Sequence, residues 1–131
     1  MDSSVTYAPS TDLHNDWAVA ESYIIEALEH SVSEQNIFDV MAALERGTGF
    51  LWVGKQAAVV TLNQGDTYTL WLAGGKLSEI ESMWPNVEEH ARGLGATKVV
   101  VFGRKGWART FLRPHGFEQN YVILEKQLWD S

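Results

Sequence analysis

Residues 16–30 (DWAVAESYIIEALEH) set Trp17, Ala20, Ile24 and Leu28 at three- and four-residue intervals, with Glu21, Glu26 and Glu29 between them. Such spacing puts the apolar side chains on one face and predicts an amphipathic helix, with Asn15 or Asp16 as its cap. Ile37, Met41 and Leu44 repeat the period over residues 34–46, with Ser33 placed to cap the helix and Gly47 to supply a left-handed stop. Two helices in succession predict a helical hairpin.

The middle of the chain changes period. Phe50–Val53, Ala57–Leu62 and Tyr68–Ala73 are short runs of aromatic and β-branched residues, separated by Gly54-Lys55 and by Asn63-Gln64-Gly65-Asp66. They predict an antiparallel meander. Gly74-Gly75 opens a helix over residues 78–93 with Ile80, Met83, Trp84, Val87, Ala91 and Leu94 on its apolar face. Pro85 inside it predicts a kink or break, and Gly93 and Gly95 its end. Lys98–Phe102 (KVVVF) is nearly all apolar, as in a strand buried on both faces, so strand, helix and strand form a parallel crossover. A short helix over 106–113 and a last strand Tyr121–Leu128 complete the order α-α-β-β-β-α-β-α-β. The fold class is α+β, with a βαβ unit of α/β type, a mixed central sheet and helices on both faces. We read residues 1–131 as one domain, with residues 1–12 loosely ordered.

Composition narrows the functional classes. The 131 residues are 45% hydrophobic and include six Trp, which excludes global disorder. The longest apolar run is the five residues Val40–Leu44, far short of the ~18 a membrane helix needs. The start MDSSVTYAPS has neither the basic nor the apolar region of a signal peptide, so Sec export is not expected. Without cysteine there is no disulfide, thiolate zinc site or cysteine nucleophile. His14, His30, His90 and His115 are scattered, so no metal site is expected. Net charge is −7 but unevenly spread: residues 1–89 carry −11, residues 90–117 carry +6 with no acid, and residues 118–131 carry −2. The basic stretch suits an anionic ligand, the acidic face of a second copy or partner, or the chain's own acidic helices. Nucleic acid is disfavoured, because the acidic remainder repels phosphate.

The element order, with a parallel crossover after a meander, resembles the GNAT (GCN5-related N-acetyltransferase) superfamily, shortened at both ends. The stretch Glu88–Lys126 (EEHARGLGATKVVVFGRKGWARTFLRPHGFEQNYVILEK) is similar to small GNAT-like proteins encoded by tailed bacteriophages. In these a helix ending in Gly, a strand, a Gly-Arg-x-Gly-Trp turn and a terminal Gly-Phe or Gly-Tyr recur. The resemblance implies that strands 68–73 and 97–102 splay apart, that acyl-CoA extends the sheet in the gap, and that its pyrophosphate meets the next helix N-terminus. The implied cofactor-binding residues are Leu72, Ala73, Gly74, Gly75, Lys76 and Ser78, with Arg104 from the basic segment; Ser78 is also a candidate cap. The superfamily's spaced R/Q-x-x-G-x-G/A loop is absent, and Gly74-Gly75 also reads as a plain strand-to-helix turn.

The chemistry departs further. A tyrosine four residues before the terminal Gly-Phe protonates the leaving thiolate in many members, and Leu112 stands there. For the base that many members take from the preceding strands, the strand candidates are Asp66 and Thr69, with Glu79 and Glu81 on the helix; Asp66 reads rather as a turn residue and Glu79 and Glu81 as solvated helix residues, while His115 and Tyr121 are substitute acids near the cleft. No catalytic residue is assigned. Trp52, Trp71 and Trp84 read as core, as do Trp107 and Phe111, while Arg104, Lys105, Arg109 and Arg113 form a basic ridge. Only one strand is expected after residue 117 where the superfamily has two, leaving an exposed edge.

The resulting expectation is a phage-type GNAT-like protein that has kept the fold and lost the chemistry, acting as a virion-associated or interaction accessory protein. It would sit in the host cytoplasm or the virion and meet a protein partner or a second copy through Arg104–Arg113 or the last strand. The alternatives are an acetyl-CoA-dependent N-acetyltransferase acting on an amine, and an acyl-CoA-binding module without turnover. The cofactor is accordingly none, or acetyl-CoA if the cleft functions.

Overall fold

A computed structural model of the chain describes residues 6–29, 36–102, 118–120 and 123–128. Helix α1 spans Leu13–Glu29 and buries Ala20, Ile24 and Ala27. It starts earlier than the apolar period suggests, because Asp12 does the capping: its carboxylate accepts from the Asn15 N–H at 3.4 Å and from the Asn15 side chain at 2.7 Å. Helix α2 spans Ile37–Arg46. Its cap is Asn36, which shares a reciprocal capping box with Asp39, so the helix begins three residues later than predicted; Ser33 lies outside the described residues. Gly47, at φ 79°, ends it in the left-handed conformation as expected.

Strands β1 (Gly49–Val53), β2 (Ala57–Gln64) and β3 (Thr67–Gly75) form the antiparallel meander, with Gly65 at φ 68° and Asp66 in the second turn. Helix α3 (Leu77–Gly93) leads to β4 (Lys98–Phe102), which pairs parallel to β3. Of the expected kink or break at Pro85 there is no break: helix α3 continues through it. Pro85 faces solvent, where a carbonyl that has lost its N–H partner can turn to water. Ile80, Met83, Trp84, Val87 and Ala91 anchor the helix on both sides of it.

The chain closes with two strands where one was expected. They are β5 (Glu118–Asn120) and β6 (Ile123–Gln127), which pair antiparallel with each other. The last strand β6 inserts beside β4, giving a six-stranded mixed sheet in the order β1-β2-β3-β4-β6-β5. The closing element is therefore present, and the exposed edge inferred from its absence does not follow. The predicted helix over 106–113 lies outside the described residues.

Alternating strand residues feed two cores. One face packs Trp52, Val59, Tyr68, Leu70, Val99 and Val101 under α3, and the other packs Leu51, Val60, Trp71 and Leu72 under α1 and α2. Helices thus cover both faces. Trp52, Trp71 and Trp84 are buried, as core residues should be. Among the described residues no helix is long and apolar enough to cross a membrane.

Candidate functional site

The β3–β4 ladder is short. It runs from Thr67 opposite Lys98 to Leu70 opposite Val101 and stops, while β3 continues to Gly75, still laddered to β2. β4 itself is described only to Phe102, and at this level β3 carries a β-bulge. Val60 faces Leu72 but Thr61 faces Leu70, so Trp71 is an extra residue on β3. Tyr68 and Leu70 enter the core under α3, Trp71 and Leu72 both enter the core under α1 and α2, and Ala73 returns to the first. A bulge bends its strand and increases its twist, and here it begins where β3 and β4 part.

Beyond the bulge, Leu72 and Ala73 are buried strand residues. Gly74 and Gly75 belong to the end of β3 rather than to a loop. A Cβ on Gly74 would overlap the backbone oxygen of Tyr23, and one on Gly75, at φ 101°, would overlap the backbone of Gln56. Glycine is required at both for close packing of α1 and of the β1–β2 turn against the strand end. Lys76 alone joins β3 to α3; its N–H donates to the Gln56 carbonyl at 2.8 Å and its side chain is exposed. The Gly75 N–H donates to the Glu26 carboxylate at 3.2 Å. Helix α3 takes Lys76 as its N-cap with no side-chain cap bond, so Ser78 lies inside the first turn and does not cap. The structure therefore groups Leu72–Lys76 and Ser78 at one corner, and Arg104 lies outside the described residues, as do Leu112, His115 and Tyr121.

Glu79 is not a solvated helix residue. Its carboxylate accepts from the N–H groups of Lys55 at 3.0 Å and Gln56 at 2.5 Å and from the Tyr7 hydroxyl at 3.1 Å. Burial, and then the neighbouring Glu79 carboxylate, raise the Tyr7 phenol above its ordinary pKa. Tyr7 also donates its N–H to Asn86 at 3.0 Å, and the Ser10 N–H reaches the Leu51 carbonyl at 2.7 Å. Residues 7–10 thereby bridge α3 and β1. Asp66 is a turn residue as read, and Thr69 is a buried strand residue.

Under the laddered half of β3 lies a polar chain that sequence reasoning missed. The Trp52 indole N–H donates to the Thr61 hydroxyl at 3.1 Å, Thr61 and the Tyr68 hydroxyl lie 2.7 Å apart, and Tyr68 and His90 Nδ1 lie 2.8 Å apart. Indole can only donate. The order in which every proton has an acceptor within the chain runs Trp52 to Thr61 to Tyr68 to His90, with Nδ1 accepting. The imidazole is boxed edge-on by Phe50, Trp52 and Tyr68, at ring separations of 4.6, 5.5 and 5.6 Å. Burial lowers the His90 pKa and raises that of Tyr68, although the hydrogen bond from Thr61 offsets part of the Tyr68 shift. Strand alternation could have grouped Trp52, Thr61 and Tyr68 on one face; nothing in the sequence signals His90. Among the described residues no cluster of His, Asp or Glu could hold a metal ion.

No protein-family model matches the sequence, and no curated protein matches it. Solved structures do match. A GNAT family acetyltransferase from Brucella melitensis in complex with acetyl-CoA superposes with a TM-score of 0.65 at 13% identity, over 95% of this chain and 88% of that one. The chain has a GNAT-like fold. A Bacillus subtilis acetyltransferase in complex with CoA gives a TM-score of 0.68 at 12% identity, over 96% of this chain and 100% of that one. An acetyltransferase from Streptococcus agalactiae gives 0.68 at 14% identity, over 92% and 96%. At these identities the GNAT likeness is one of fold, and it spans nearly the whole chain.

Proposed function

We propose that the chain binds an acyl-CoA in the gap between β3 and β4 and transfers its acyl group to an amine. The observation that carries this reading is the ladder that stops at Leu70 and Val101 while β3 continues. A strand extended past its neighbour offers a backbone edge along which an amide-bearing ligand can lie as an added strand. Leu72 and Ala73 would form the floor of that path, Gly74 and Gly75 its end, and Lys76, Ser78 and Arg104 would face the phosphates. The bound thioester would supply the activated acyl group, and the chain would orient it and keep water from it.

The fit to the carrier is uneven. The strand edge and its small residues suit the amide arm, but a one-residue link with its N–H already taken replaces a phosphate-wrapping loop. Glu79 is no candidate base, since three donors already hold its carboxylate. We assign no catalytic acid or base among the described residues.

Titration calorimetry tests the reading. Acetyl-CoA should bind with Kd below ~0.1 mM, about −5.5 kcal/mol, and ADP much more weakly. An amine screen for released CoA thiol would follow. No heat from either acetyl-CoA or S-acetylpantetheine at millimolar concentration, with an unchanged melting temperature, refutes it.

The Glu26 carboxylate at the Gly75 N–H disfavours a phosphate there and so supports a second reading, a fold kept without the chemistry; we propose for that case a phage-type accessory protein, virion-associated or in the host cytoplasm. It would meet a partner or a second copy through Arg104–Arg113, since the last strand is taken by β4 on one side and β5 on the other. This reading requires no acyl-CoA binding, together with assembly that weakens with salt and disappears in R109E/R113E. A salt-insensitive monomer that binds acetyl-CoA overturns it.

A further inference from the structure

This inference rests on the acyl-CoA reading above. A ligand lying along β3 from Leu70 toward Gly75 is led to the corner where Lys76 joins the strand to α3. The phosphates of an acyl-CoA follow its amide arm, so they arrive at that corner. A carboxylate is there already. Glu26 Oε1 accepts the Gly75 N–H at 3.2 Å, and the adjacent Lys76 N–H is held by the Gln56 carbonyl at 2.8 Å.

The position of Glu26 is built in by packing. The Tyr23 backbone oxygen lies where a Cβ on Gly74 would be, and the Tyr23 ring lies 3.0 Å from where a Cβ on Gly75 would be. Tyr23 and Glu26 are three residues apart on α1, on one face of the helix. The glycine contact that seats α1 on the strand end thus also delivers Glu26 to the last strand N–H. Lys76, exposed at the same corner, draws anions in, and Glu26 opposes it.

We infer that Glu26 is a specificity-determining residue of this site, its carboxylate holding the anion position at the β3–α3 corner. The site therefore favours acyl thioesters of pantetheine that carry no phosphate there over intact acyl-CoA. Two like charges about 4 Å apart in a partly exposed corner change binding about tenfold, an effect that added salt reduces.

The test is titration of wild type, E26Q and E21Q with acetyl-CoA and with uncharged S-acetylpantetheine at low salt. Gln keeps an acceptor oxygen for the Gly75 N–H, so E26Q should melt with wild type. Glu21 is exposed on the same helix and controls for net charge. E26Q should bind acetyl-CoA about tenfold more tightly and S-acetylpantetheine within about twofold of wild type, with the gain shrinking at about 0.5 M salt. E21Q should change neither affinity. Acetyl-CoA binding by E26Q alone supports the inference in its strongest form. Equal acetyl-CoA affinity in wild type and E26Q, or equal tightening for both thioesters, overturns the inference and leaves the acyl-CoA reading standing. Binding of neither thioester by either protein overturns that reading and the inference with it.

Discussion

Replacing Tyr68 with phenylalanine removes one oxygen atom and cuts the polar chain between Thr61 and His90. The ring keeps its place, since Tyr68 is 0% exposed and packed under α3. The Thr61 hydroxyl, also 0% exposed, loses the acceptor for its proton, and His90 Nδ1 loses its donor. An unpaired buried polar group costs about 1–3 kcal/mol. Thr61 should bear most of such a cost, and half-buried His90 less. Phenylalanine recovers about 1 kcal/mol, because no phenol has to leave water on folding. The net loss is about 2 kcal/mol, or a melting temperature lower by about 4–10 °C for a domain of this size. Urea unfolding of wild type and Y68F with matched slopes measures it. A loss below about 0.5 kcal/mol would refute the reasoning, because it would mean that Thr61 and His90 find other partners at no cost.

Thr61→Val leaves the buried Trp52 indole N–H without its acceptor and should cost about 2–3 kcal/mol despite its matched shape; urea unfolding that shows less than half of this would exclude a dry site. His90 has a folded pKa below its unfolded value of about 6.5, so between those two values the unfolded chain binds more protons. The His90 contribution is therefore complete above pH ~6.5 and declines as pH falls toward the folded value, by at most about 1.4 kcal/mol per pH unit. In His90→Gln that component should vanish from the pH profile of unfolding; an unchanged profile would assign it elsewhere. Asn36→Ala breaks the capping box and should cost about 1 kcal/mol by thermal or urea melts, whereas Asn36→Asp should cost little. Gly74→Ala drives a methyl into the Tyr23 carbonyl, which has no rotamer to retreat to, and should cost more than about 3 kcal/mol or prevent folding; a near-neutral result would place α1 farther from β3.

Where one period governed one element, the sequence was legible. In the α3 stripe Ile80, Met83, Trp84, Val87 and Ala91 are buried as their spacing demands, whereas Leu94, the residue after the last turn, is exposed; the three meander strands fall within two residues of their apolar runs. Met41 failed as a stripe residue: it is 38% exposed, while Val40 beside it is buried. A short helix with apolar residues at 37, 38, 40, 41 and 44 does not by itself declare which of them faces the sheet. The two closing strands were read as one, because three residues of β5 carry no period. Glu79 looked like any charged residue in a first helical turn; its three donors come from residues 7, 55 and 56, and no local pattern reports such a meeting. The bulge at Trp71 was equally silent, since a run of six apolar or threonine residues conceals which of them changes face.

Thr61 links the two halves of the molecule. It is the residue opposite Leu70 at which the β2–β3 register shifts, and it is also the middle of the chain from Trp52 to Tyr68. A bulge in a run of similar apolar residues could slide along the strand, because a one-residue slip exchanges one buried side chain for another. A buried hydroxyl with two partners cannot slide with it without abandoning both. The polar chain therefore pins the bulge to Trp71, next to Leu70 and Val101, the last β3–β4 pair, and in the acyl-CoA reading the fold itself, rather than a ligand, would hold that place open. Preorganisation of that kind suits a binding site, since no strand has to separate when the ligand enters. The corner at the end of β3 follows the same logic with the opposite sign. There two glycines draw α1 onto the strand end, and the contact that completes the fold also brings Glu26 to the N–H that an anion would seek. In the acyl-CoA reading the same half of β3, from Leu70 to Gly75, would both receive an extended chain and discriminate by charge what that chain carries.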